Sequence, residues 1–332
     1  MQNKQNKESG ISVLSLFDGI SCGQIALERA GIKVDKYFAS EIDKHAINVT
    51  QSNYPNTTQL GDATKIKGSD LPEIFLLMGG SPCQGFSQLG KQLNFEDPRS
   101  KLLFEFVRLL KEVRPKYFLL ENVIMKKEYR DTISGLLGVE PITIDSALVS
   151  SQSRKRSYWT NIPNIEQPED KGLVINDIVD ASDSDYKFIA DPPQKGRRAT
   201  KNYLQYDVMD KGHQSASHRA YLPTSKMCCL RAGSPHAAKI LMKDGKIRYT
   251  TRLESEKLQT VPLGYTKDVS LNQSKRMLGN GWTVDVIAHI LKNVSSDEAL
   301  IECPDCGENA ECEQFCFNFE ADWSKGANQR QS

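Results

Sequence analysis

Between Ser12 and about Asn161, short apolar or β-branched runs alternate with segments of helical length, and that alternation admits few folds. A strand that crosses to a parallel neighbour needs a connection of about a dozen residues or more, usually a helix, so the pattern predicts a doubly wound α/β sheet. Strands are expected at 12–17, 36–40, 74–78, 117–120 and 142–149, and helices at 23–30, 44–53 and about 100–113. Beyond Asn161 the periodicity fades, and Pro, Gly, Ser, Asp and Lys dominate to about Ser225 before helical spacing returns at 254–259 and 288–293. The expected organisation is therefore a disordered N-terminus (1–11), a large domain (12–163), a linker with a small irregular domain (164–262), a return to the large domain (263–294) and an acidic, cysteine-bearing tail (295–332).

Charge is unevenly spread. The formal net charge is only +1, but residues 187–257 hold 15 Lys/Arg against 6 Asp/Glu, so this window carries +9 and the remainder −8. Its cations are interleaved with Tyr203, Tyr206, Tyr221 and Tyr249, a mixture suited to phosphates and base edges, although a solvated loop would look similar. No apolar run approaches the roughly 20 residues of a spanning helix. The polar start also lacks the apolar stretch of a signal peptide, so a cytoplasmic protein without a membrane partner is expected. In that compartment the eight cysteines should be thiols, a nucleophile or metal ligands.

Three segments point to chemistry. Phe17-Asp18-Gly19-Ile20-Ser21-Cys22-Gly23 lies between a predicted strand and a helix, where glycines let backbone N–H groups approach a ligand; a bare turn is the alternative. Glu41, after the second strand, could accept two ribose hydroxyls, and Asp62 an adenine amino group, which together fit an adenosine-bearing cofactor. Gly79-Gly80-Ser81-Pro82-Cys83-Gln84-Gly85-Phe86-Ser87 presents a cysteine on a glycine-rich loop at the same sheet edge, to which the next strand brings Glu121-Asn122-Val123.

Taken together, F-D-G-I-x-x-G, G-G-S-P-C-Q-G-F-S, E-N-V, Q-S-R-K-R and G-N-G-W stand in the order found in DNA cytosine-C5 methyltransferases. The chain resembles that family from Ser12 to about Leu291, its N-terminal half looking nearest to phage-type and de novo animal members. The resemblance implies a Rossmann-like class I S-adenosylmethionine-dependent methyltransferase fold, with residues 164–262 as target-recognition domain. It implies a DNA (cytosine-5-)-methyltransferase that acts on a base flipped out of double-stranded DNA. Cys83 would be the nucleophile at cytosine C6 and Glu121 the partner of N3, while Arg154 and Arg156 would hold the cytosine carbonyl and neighbouring phosphates. Phe17, Asp18, Gly19, Gly23, Glu41, Asp62, Pro82, Asn280 and Trp282 would form the cofactor site. Gln84, Ser87, Asn122, Val123, Gln152, Arg231 and Arg248 would face the target base or DNA.

Two features depart from the family. Lys226-Met227-Cys228-Cys229-Leu230-Arg231 occupies the place of a Thr-containing step, which leaves the phosphate-side contact open. Cys303, Cys306, Cys312 and Cys316 lie beyond the resemblance, and their spacing suits either a structural zinc site or a reduced, flexible tail. By resemblance the setting is restriction-modification or phage DNA protection in a bacterial or phage-infected cell, with a monomer on DNA and a cognate endonuclease as candidate partner. The competing readings are a catalytically silent DNA-binding relative and an RNA cytosine methyltransferase.

Overall fold

The computed structural model describes residues 10–81, 98–179, 187–189, 198–205, 219–233 and 238–294. Five parallel strands form most of a seven-stranded sheet: β1 (Ile11–Leu16), β2 (Val34–Ser40), β3 (Thr58–Gln59), β4 (Leu76–Gly80) and β5 (Tyr117–Val123). Two more, β6 (Ile142–Asp145) and β7 (Lys155–Thr160), complete the order β3-β2-β1-β4-β5-β7-β6, with β7 antiparallel to both of its neighbours.

The central strands read as unbroken apolar runs because both of their faces are covered. Val13 of β1, Leu76 and Met78 of β4, and Tyr117 and Leu119 of β5 enter one core, while Leu14, Leu16, Leu77, Phe118 and Leu120 enter the other. On the first face lie α1 (Cys22–Arg29) and α7 (Val284–Leu291), and on the second α3 (Pro98–Val113) and α4 (Lys127–Leu137). The C-terminal helix therefore packs into the same layer as the first helix. α2 (Lys44–Asn53) follows β2 with the bounds its spacing predicts, and Asp43 caps it by accepting from the His45 N–H at 2.9 Å.

Several boundaries differ from those predicted. The first strand opens at Ile11, inside the stretch expected to be disordered, because Ile11 is buried and its N–H reaches Lys33 O at 2.8 Å. The predicted strand 142–149 stops at Asp145, whose carboxylate accepts from Ala147 N and Arg154 N and turns the chain. Neither β7 nor α6 (Leu271–Asn280) is among the strands and helices that the sequence predicts. α6 starts at a capping box in which Ser270 and Gln273 exchange side-chain and backbone bonds.

The basic middle of the chain forms a second sheet of five very short strands: β8 (Arg198–Ala199), β9 (Tyr203–Gln205), β10 (Arg219–Tyr221), β11 (Lys239–Leu241) and β12 (Ile247–Tyr249). They run in the order β12-β11-β10-β9-β8, and Ala220 and Ile247 are the fully buried members of their small core. Beside it begins α5 (Arg252–Leu258), capped by Thr251. Arg248, 2% exposed, is held in a fork by Glu254, with Nη1 to Oε2 at 2.8 Å and Nη2 to Oε1 at 2.6 Å. Glu254 also accepts from the Thr251 N–H at 2.9 Å, so one carboxylate serves the cap and the ion pair. Arg248 is therefore a strut of this fold, and its proposed DNA contact is corrected.

Removing the acid strands a buried guanidinium. Glu254→Ala should cost about 3–5 kcal/mol of unfolding free energy. Equilibrium urea denaturation measures it, and a loss below about 1 kcal/mol would contradict this role.

Candidate active site

The loop after β1 is wound tightly, with Phe17, Gly19 and Ser21 all at positive φ (57°, 60° and 55°). Two of these are not glycine, a backbone cost that clusters at ligand sites. The turn is held by two acids. Asp18 accepts from Tyr37 OH at 2.7 Å and from the Ser21 hydroxyl. Burial pushes its carboxyl up to about 6, although both hydrogen bonds work in the opposite direction. Glu41 accepts from Gly19 N at 2.8 Å through Oε2, and from Ile42 N and Asp43 N at 2.7 and 2.8 Å through Oε1.

Gly19 thus directs its N–H to Glu41. Gly23 serves packing: a Cβ there would lie 2.8 Å from both Met78 Cε and Tyr37 OH, and the residue does not line the cleft. The expectation that Gly23 touches a cofactor is corrected accordingly.

Strand register assembles the other half of the site. Gly80, the last residue of β4, pairs with Glu121 of β5, and β7 places Arg156 opposite Val123. Arg156 Nε lies 2.8 Å from Glu121 Oε1, in a pair whose side chains are 15% and 10% exposed. Burial opposes the Arg156 cation, but the Glu121 charge together with the neighbouring Cys229 and Tyr158 offsets it and moves its pKa up. No hydrogen bond among the described residues reaches Glu121 Oε2. A Cβ on Gly80 would meet that oxygen at 3.1 Å and Trp282 Nε1 at 2.7 Å, so only glycine lets carboxylate and indole come this close to the strand. Asn122 Nδ2 donates to Ser81 Oγ at 2.8 Å, tying β5 to the residue from which the Pro82-Cys83 loop departs.

All of this opens into one cleft of about 490 Å³. Phe17, Asp18, Gly19, Glu41 and Asp62 line one end, Glu121, Asn122, Val123, Arg154 and Arg156 the other, with Asn280 and Trp282 also in its wall. Cys22 lines it as well, but burial pushes its thiol up to about 12, so it stays protonated and is a poor nucleophile.

Arg154 is 3% exposed, and its guanidinium donates to Leu230 O, Gly279 O and Gly281 O at 3.2, 3.2 and 2.9 Å. It also reaches Cys229 Sγ at 3.2 Å. These bonds fasten the segment at Cys229 and Leu230 to the end of α6. Gln152, fully buried, donates to Leu258 O and Gln259 Oε1 and accepts from Leu230 N. Its expected DNA contact is corrected to a structural one, because no part of it faces outward. Arg231 is exposed. Pro82, Cys83, Gln84, Ser87 and the four tail cysteines lie outside the described residues. Among the described residues no group of three His, Cys, Asp or Glu is arranged to hold a metal, and no helix is long and apolar enough to cross a membrane.

Sequence reasoning missed Tyr37, Ser21, Ser81 and Cys229. Only Ser81 carried a signal, its place one residue before the Pro-Cys step.

A family model for C-5 cytosine-specific DNA methylases matches residues 11–133. The Type II methyltransferase M1.ScrFI of Lactococcus lactis subsp. cremoris is 30% identical over 323 residues, 88% of this chain and 79% of the relative. The chain belongs to the C-5 cytosine-specific DNA methylase family. The methylase is also 44% identical over 117 residues to the orphan methyltransferase M.Rho11sI of Bacillus phage rho11s, which covers 35% of the methylase and 23% of the phage protein. The fold is shared with a solved methyltransferase of Entamoeba histolytica at a TM-score of 0.67 and 19% identity, covering 86% of the methylase and 98% of that chain.

The methylase is thus a DNA (cytosine-5-)-methyltransferase of an S-adenosylmethionine-dependent family. Its cleft suits that cofactor. The positive-φ turn, the Glu41 carboxylate at the end of β2, Asp62 beyond it and the flat face of Trp282 offer acceptors for hydroxyl and amino groups and an apolar wall for a ring.

Proposed function

We propose that the methylase acts on a cytosine rotated out of a short duplex sequence, with Cys83 as nucleophile at C6 and Glu121 as the group that steadies N3. The observation that carries this reading is the register pairing of Glu121, whose Oε2 meets no hydrogen bond among the described residues, with Gly80, three residues before Cys83 in the chain. Cytosine C5 is too weak a nucleophile to be methylated directly. The Cys83 thiolate contributes an electron pair to a new S–C6 bond, and the C5=C6 pair becomes available at C5. Negative charge that spreads to N3 and O2 is neutralised by a proton passed to N3 through the Glu121 carboxyl and by the Arg156 cation held beside it. Bound S-adenosylmethionine supplies the electrophilic methyl group. A base then takes the C5 proton, the C5=C6 bond re-forms and the C6–S bond breaks.

The cofactor is held by Phe17, Asp18, Gly19, Glu41, Asp62, Pro82, Asn280 and Trp282. The second sheet and its +9 window form the target-recognition domain on double-stranded DNA, within the domain boundaries the sequence suggests. The type II designation of the Lactococcus relative and the phage origin of the orphan support a role in restriction-modification or phage DNA protection. We place the methylase in the cytoplasm, as a monomer on DNA, with a cognate endonuclease as candidate partner. Cys303, Cys306, Cys312 and Cys316 are candidate zinc ligands by their spacing.

Bisulfite sequencing of DNA from cells expressing the chain tests the proposal. Methylcytosine confined to one short context is expected. Duplex binding without any methylcytosine would instead identify a silent relative, and methylation of a transfer RNA but of no DNA would make the substrate RNA.

A further inference from the structure

Three arginines line the cleft, and two of them are committed inside the protein. Arg154 is engaged by three carbonyls and a sulfur, and Arg156 by Glu121. The third, Arg276, is exposed on α6, and no hydrogen bond or ion pair to a described residue occupies its guanidinium. Arg276 and Asn280 stand one helical turn apart, so both rise from the same face of α6, while Ser274, Lys275 and Leu278 are buried on the other side.

That face adjoins the recognition segment. A Cβ on Gly279 would lie 2.4 Å from Ala232 N and 2.5 Å from Arg231 C, so the last turn of α6 and the backbone at Arg231 are in direct contact. Arg231 is likewise exposed and unengaged by described residues. Two uncommitted arginines, one from each side of this contact, therefore stand close to the cleft. The cleft also holds Asp18, Glu41, Asp43 and Asp62, whose acidic side chains disfavour phosphate, so the phosphates of an entering nucleotide are drawn to the uncommitted cations.

We propose that Arg276 binds a backbone phosphate of the target strand beside the flipped cytosine, working with Arg231 across the contact at Gly279. This rests on the duplex-binding reading above. Arg276 is a docking residue for the DNA backbone and carries no base information.

The test measures binding of a fluorescently labelled, cytosine-containing duplex by anisotropy from 50 to 200 mM salt, using the full chain, Arg276→Gln and Arg276→Lys. One lost phosphate contact lowers the slope of log affinity against log salt by about 1 and weakens binding about tenfold at the low-salt end. Arg276→Lys should retain the slope. Affinity for S-adenosylmethionine without DNA, read by calorimetry, should be the same in all three proteins. An unchanged slope in Arg276→Gln overturns the proposal. Weakened cofactor binding with an unchanged slope also overturns it and assigns Arg276 to the cofactor carboxylate. If the unmodified chain itself shows no salt-dependent duplex binding, the duplex reading fails too, and the two failures are told apart by that control.

Discussion

Cys83→Ser is expected to reduce methyl transfer to cytosine by about 10⁴-fold or more while leaving duplex and cofactor binding in place. A thiol ionises enough near neutral pH to attack C6, whereas a serine hydroxyl does not, and no neighbour offered by the described site replaces it. Cys22, which lines the cleft, is held protonated by burial and cannot substitute. Incorporation of tritiated methyl groups into DNA by purified protein measures the effect. A serine variant that keeps a tenth of the activity would remove the covalent step from the mechanism.

Glu121→Gln should lower kcat by about 10²- to 10⁴-fold, the usual range for a positioned acid-base group. Glutamine fills the same space, so the strand and the close approach at Gly80 persist, but the ion pair with Arg156 is lost along with the carboxyl that passes a proton to N3. The loss should fall on kcat more than on KM, because the interaction strengthens as the ring gains electrons. Thermal unfolding of the variant, run alongside, separates this from loss of structure. Unchanged kcat in a folded variant would mean that N3 is served by another group.

The two elements that bracket the cofactor turn and the two that carry the catalytic pair were unequally legible in the sequence. β1, β2, β4 and β5 are read easily because strands buried on both faces leave unbroken apolar runs, and α2 declares itself through its Asp43 cap. β7 hides because its first residues are charged: Arg156 keeps its place in the ladder while its side chain turns to the Glu121 carboxylate of the neighbouring strand rather than into an apolar core. Functional residues break local pattern in this way. The second sheet escapes because strands of two or three residues are too short to show a period.

Arg248 and Gln152 were given to DNA by the family resemblance, which places a residue in a motif without showing the buried partner that holds it. For Arg248 a clue was present. Thr251-Arg252-Leu253-Glu254 has the spacing of a capping box, which commits Glu254 to the helix start and leaves its second oxygen for an arginine six residues earlier. Glu121 could be placed at the sheet edge from the sequence because β5, which carries it, is an unbroken apolar run.

The Arg154 joint has an evolutionary consequence. Three of its four acceptors are main-chain oxygens, at Leu230, Gly279 and Gly281. Leu230 O is such an oxygen, so a new side chain at Leu230 leaves that bond in place, and Arg154 stays anchored at Gly279 and Gly281. Under the proposed reading, target recognition can then drift on one side of the joint while the other side holds.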